Sequence, residues 1–165
     1  MLRFASIFIF AAVCFACSGC VRPDSANRPF ATSGLMARQI NITGLGNELR
    51  KLQSGESEYD FFGITSNGID CVYFMRDGQN FQIEFEAMGD EQMPYIEKLK
   101  DFATSKGFGT SMTTYGNKPL SGGLKEAPVI RIVTNSDLSK TAEIGEEMQK
   151  SIFGNDEGTV YDVVP

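Results

Sequence analysis

Between Tyr59 and Met88 the chain reads as three strands in succession, and this block limits the folds open to it more than any other feature. Asn67-Gly68 divides Tyr59–Thr65 from Ile69–Met75, and Asp77-Gly78 divides the second segment from Gln79–Met88. Both dipeptides supply the positive φ angles that tight hairpin turns require. The third segment alternates, with Phe81, Ile83, Phe85 and Ala87 on one side and Gln82, Glu84 and Glu86 on the other. That period of two marks a strand with one dry and one wet face. The middle segment is apolar on both sides, Cys71, Tyr73 and Met75 against Val72 and Phe74, which predicts a central place in the sheet.

A sheet with one dry face needs a cover, and three helical patterns are available. Thr43–Ser54 places Leu45, Leu49 and Leu52 on one stripe, with Thr43 suited to cap the start and Gly55 to end it. Asp90–Lys106 carries Pro94 in its first turn and Ile96, Leu99 and Ala103 as an inner stripe flanked by Tyr95 and Phe102, before Gly107. Ser136–Phe153 spaces Thr141, Ile144, Met148 and Ile152 on one side and stops at Gly154. Further strands are predicted at Gly109–Tyr115, Val129–Val133 and Thr159–Val164, with a long loop over Gly116–Ala127. Residues 34–42 read either as a first strand or as a leading helical turn. The order is α-βββ-α-ββ-α-β, and runs of strands broken by single helices predict an α+β fold: a largely antiparallel sheet with helices packed on one face. Its last six elements follow the ferredoxin-like order.

The N-terminus is of another kind. Met1-Leu2-Arg3 is a short positive start, Phe4–Phe15 is almost wholly apolar, and Ala16-Cys17-Ser18-Gly19-Cys20 closes with small residues. This is the layout of a signal peptide. Cysteine after Ser-Gly resembles the lipobox of bacterial lipoproteins, although Cys17 stands where that pattern favours leucine. The resemblance implies cleavage after residue 19 and lipidation of Cys20. The other readings are plain cleavage that leaves a free thiol, or lipidation of Cys17, for which Phe15 suits the small-residue site poorly. A membrane span needs about 20 apolar residues, and the run from Phe4 to Ala16 is shorter. Val21 in place of aspartate implies, in a bacterium with two membranes, an outer-membrane anchor with the domain facing the periplasm. Residues 20–33 (CVRPDSANRPFATS) read as a tether of at most ~45 Å, and residues 34–165 as one domain.

Arg3 leaves with the signal, so 14 basic and 21 acidic residues remain, a formal charge of −7. Such a domain has no general attraction for nucleic acid. Cys71 is the sole thiol left once Cys14 and Cys17 are removed and Cys20 is acylated, so no disulfide framework is expected. The chain has no histidine, which excludes a Ser-His-Asp or Cys-His pair and removes the commonest zinc ligand. No cofactor and no metal site is expected.

The groups left to do chemistry are few. Glu84 and Glu86 share one side of a strand about 7 Å apart, a spacing seen in carboxylate catalysis, but a solvated strand face explains them more simply. Asp70 with Asp77 is the other carboxylate candidate. Cys71 lacks an activating base and reads as a buried structural thiol. Tyr95, Phe102 and Phe108 read as core before they read as a groove. The contact surface for a partner is expected on a sheet face or on the Gly116–Ala127 loop, where Lys118, Leu120, Leu124 and Lys125 are the candidate contacts, because long loops carry function more often than scaffolds do.

Three pieces, YFMRDGQNFQIEFEA, YIEKLKDFATSKGF and MQKSIFGNDEGTVYDV, resemble the type III secretion chaperone-like superfamily, including its YbjN and TY-chaperone groups. They cover under half the chain. The resemblance implies the fold; an exported lipoprotein departs from those cytosolic chaperones, so their role in injection is not carried over. The sequence thus leads to a lipid-anchored extracytoplasmic domain that binds protein or acts like a chaperone and is not an enzyme. The alternative is an immunity lipoprotein that neutralises a periplasmic toxin. A carboxylate-dependent envelope enzyme is the third reading.

Overall fold

The computed structural model describes residues 38–115 and 127–165. The signal peptide, Cys20, the tether, the first residues of the domain from 34, and the loop residues Lys118, Leu120, Leu124 and Lys125 lie outside the described residues. The elements are β1 (Arg38–Asn41), α1 (Leu45–Ser54), β2 (Phe61–Thr65), β3 (Val72–Asp77), β4 (Asn80–Glu86), α2 (Met93–Ser105), β5 (Gly109–Thr114), β6 (Pro128–Ser136), α3 (Leu138–Ser151) and β7 (Val160–Val164). The fold is α+β. All seven strands join one antiparallel sheet in the order β1-β7-β2-β3-β4-β6-β5. β3 is the middle strand, as its two apolar faces predict.

Residues 38–44 combine both expectations for that stretch: a short strand, then one 3₁₀ turn at Ile42–Gly44 leading into α1. Thr43 does not cap the helix. Its hydroxyl donates to Asn41 Oδ1 at 2.7 Å, and Gly44 takes the N-cap position without a side-chain cap. Gly55 ends α1 at φ 78°, as expected. The ferredoxin-like arrangement does not form. β4 and β6 are antiparallel neighbours, and β7 inserts between β1 and β2 on the far side of the sheet.

Register explains why one face is dry. Phe62, Phe74, Ile83 and Ile132 stand opposite one another on successive strands, and Ile64, Val72, Phe85 and Ile130 form the next row. All eight are buried, and one apolar core joins them to Leu45, Leu49 and Leu52 of α1, Ile96, Leu99 and Phe102 of α2, and Ile144 and Met148 of α3. Fully burying a side chain of this size contributes about 1.5–3 kcal/mol, so this layer dominates stability. Phe102 lies inside it, and Tyr95 and Phe108 pack against its edge, Tyr95 with its ring 4.8 Å from that of Phe153. These aromatics are core.

The two turns differ. Asp77 pairs with Asn80, so Gly78 and Gln79 are the central residues of a two-residue hairpin, Gly78 with φ 64°. Asn67-Gly68 does not make a tight hairpin. Pairing stops at Ile64–Val72, and the loop over 65–71 folds around the Asp70 carboxylate. That carboxylate accepts from Thr65 Oγ1 (2.7 Å), Ser66 N–H (2.9 Å), Ser66 Oγ (2.6 Å), Asn67 N–H (3.3 Å) and Asn155 Nδ2 (2.6 Å). Gln149 Nε2 donates to the Asp70 carbonyl at 3.1 Å, and Gln92 Nε2 donates to the Gly68 carbonyl at 3.1 Å. The loop is thereby tied to α3 and to the start of α2.

Candidate functional site

The face opposite the helices is where this sheet can meet another molecule. Three registered rows build it. Gly63, Tyr73, Glu84, Arg131 and Ser111 cross five strands in one line. Phe61, Met75 and Gln82 lie to one side, and Glu86, Val129 and Thr113 to the other. Residues of these rows line a half-open cavity of about 260 Å³ whose wall includes Phe61, Tyr73, Met75, Glu84, Glu86, Val129 and Arg131, together with Tyr115.

Gly63 lets one wall residue, Tyr73, approach β2 closely. A Cβ there would stand 2.8 Å from Val164 Cγ2 and 2.9 Å from Tyr73 Cε1, so only glycine lets the Tyr73 ring and Val164 close over β2. Aromatic rings continue outward: Phe61 lies 6.2 Å from Tyr73 in an edge-on arrangement, and Tyr59 lies 5.6 Å from Phe61. Tyr59 and Tyr115 are exposed.

The charges on this face are unequal in their surroundings. Glu84 is buried, and the Nε and Nη2 groups of Arg131 both point at its Oε1. Glu86 is half-buried and has no ion-pair partner among the described residues. Burial, followed by repulsion from Glu84, holds its carboxyl above the usual range. The expectation of a freely solvated pair is therefore corrected: Glu84 is neutralised within the sheet, and Glu86 is a strained charge at a cavity wall. The cause is the β4–β6 pairing, which sets Arg131 directly opposite Glu84.

Cys71 and Tyr73 adjoin this charge. Burial pushes the thiol up to about 11, with the Asp70 and Glu86 charges adding to it against a hydrogen bond with Tyr73. Burial and its neighbours Cys71 and Glu86 raise the Tyr73 phenol as well. Both groups keep their protons at neutral pH, and a protonated thiol is a poor nucleophile. Asp70 and Asp77 sit at opposite ends of β3, Asp77 accepting from Gln82 Nε2 at 2.5 Å, so they do not form a pair. Among the described residues no group of three or more Cys, Asp or Glu is placed to hold a metal ion, and no helix is long and apolar enough to cross a membrane.

Of the residues singled out by sequence, the structure unites Glu84, Glu86, Tyr73 and Met75 on one wall. Arg131, Phe61, Val129 and Thr113 join them unannounced, because only long-range register brings their strands alongside. One local signal was present: Arg131 is a lone charge between Ile130 and Ile132, the pattern of a strand residue facing away from the core. No family model, curated protein or solved structure matches the chain.

Proposed function

We propose that this chain is a lipid-anchored extracytoplasmic binding module, held at the membrane through Cys20 and engaging a protein partner with the open face of its sheet. One observation carries the binding half. The helices pack on one side of the sheet, while the other side presents Phe61, Tyr73, Met75 and Val129 around a cavity, with exposed aromatics at its margin. Apolar patches on the surface of a soluble domain mark interaction sites more often than they persist without use. The anchoring half rests on the signal layout and on Cys20. In a host with two membranes, Val21 favours the outer membrane and a domain that faces the periplasm.

The immunity reading is a special case in which the partner is a toxin. The formal charge of −7 favours a basic one.

Both halves are tested in cells producing the full chain. Labelled palmitate is expected on the wild type and absent from Cys20→Ser, which leaves the lipidated membrane fraction. Label retained by Cys20→Ser contradicts the anchor. A protein that co-purifies with the wild type is expected to be lost from Phe61→Ser/Tyr115→Ser, which removes the half-buried ring of Phe61 and the exposed ring of Tyr115 from the cavity, and retained by Glu143→Lys on the outer side of α3. Equal recovery from both contradicts the proposed face.

A further inference from the structure

We propose that the open-face cavity receives one cationic side chain, lysine or arginine, projecting from the protein that the domain binds. This rests on the reading of the open sheet face as a protein-binding surface and names the chemistry of the partner's anchor. The cavity, at about 260 Å³, falls just below the roughly 300–1,000 Å³ of clefts that enclose drug-sized ligands. It suits a single side chain.

The charges in its wall decide the sign of that side chain. Glu84, Glu86 and Arg131 are the ionised side chains of the wall, and Cys71 and Tyr73 beside them stay protonated. Arg131 directs two nitrogens at one Glu84 oxygen, so these two cancel and Glu86 is the charged side chain of the wall left unpaired among the described residues. An anionic group entering here would be repelled by Glu86. A neutral apolar group would strip water from Glu86 and offer nothing in return. An ammonium or guanidinium group pairs with Glu86, and its alkyl stem lies along Met75 and Val129. The rings of Phe61, Tyr73 and Tyr115 line the same space, and a cation held over an aromatic face is attracted by it. Burial and Glu84 already raise the Glu86 carboxyl above its ordinary range, so an incoming cation relieves an existing cost. The acidic domain attracts basic partners at low salt.

The test uses the full chain, ¹⁵N-labelled, in a non-ionic detergent. It is titrated at constant ionic strength with n-butylammonium and n-butylguanidinium chloride, and with 1-butanol as the neutral control. The expected result is saturable shifts at Tyr73, Glu86 and Val129 with both cations and none with 1-butanol. Glu86→Gln is expected to weaken binding at least tenfold with the amide spectrum otherwise intact. If that variant disturbs the fold, Thr113→Lys sets a competing cation on the same row and is expected to weaken binding by the same margin. An equal response to 1-butanol would assign the cavity to an apolar ligand. Shifts that spread over the acidic surface without saturating, or that survive both variants, would show general charge attraction. Binding seen only after Lys118 and Lys125 are both changed to Gln would assign the cavity to the chain's own lysines. Self-association that closes the cavity would assign it to a second copy. Each of these four results overturns the proposal. If the cations fail while Phe61→Ser/Tyr115→Ser still loses a partner, the cation anchor falls and the binding face stands. If the cations bind saturably but no protein partner depends on that face, the cation site stands and the protein-binding reading falls.

Discussion

Asp70 is buried at the foot of β3 and accepts hydrogen bonds from Thr65, Ser66, Asn67 and Asn155. Burial raises its pKa, but donation from Ser66, Thr65 and Asn155 outweighs this, and the carboxyl sits below its ordinary value of 3.8. A group depressed in the folded state contributes stability that is fully present above its unfolded value and lost as pH falls through the folded one. Asp70→Asn places an amide among donors and is expected to cost about 2–3 kcal/mol at pH 7. The gap between variant and wild type should narrow below about pH 4. Glu86, shifted the other way, affects both proteins alike and cancels from that difference. Urea unfolding at pH 7 and at pH 3 measures it; a gap that stays constant would show that ionised Asp70 does not hold the loop.

Among the elements, α3 approaches the sheet at Gly145. A Cβ there would stand 2.7 Å from Leu45 Cδ2 and 2.8 Å from Phe74 Cζ, at the junction of α1, α3 and β3. Overpacking of this kind costs about 1–3 kcal/mol, more than the roughly 1 kcal/mol that alanine gains over glycine in a helix. Gly145→Ala is therefore expected to destabilise by up to about 2 kcal/mol. Gly46, with open space around its would-be Cβ, gives the opposite sign: Gly46→Ala is expected to stabilise by up to about 1 kcal/mol. Denaturant midpoints of the two variants check the pair, and shifts in the same direction would contradict the packing described.

The same scale shows what was legible in advance. Alternation in β4, the Pro94 start of α2 and the glycine stops at Gly55 and Gly107 act within a few residues, and each appears where its chemistry predicts. The Asn67-Gly68 turn failed because a carboxylate three residues on, with partners as remote as Asn155, outcompetes a local turn preference. Thr43 failed as a cap because Asn41 takes its hydroxyl. Cavity residues from β2 and β6 could not be grouped beforehand. Their proximity depends on β4 pairing with β6 across an intervening helix and strand, and nothing local encodes that register.

For the whole molecule, the division of labour is between two faces of one sheet. Helices and sheet bury the apolar rows on one side, and the acidic, aromatic cavity lies on the other. On the proposed reading the anchor at Cys20 keeps the domain near the membrane, and the domain's negative charge favours basic partners there. The most direct measurement is site-specific photo-crosslinking in intact cells, with p-benzoylphenylalanine placed at Thr113 on the open face or at Glu143 on α3. The account predicts one discrete adduct from position 113 and none from position 143. An adduct from position 143 alone, or the same adduct from both, would contradict it.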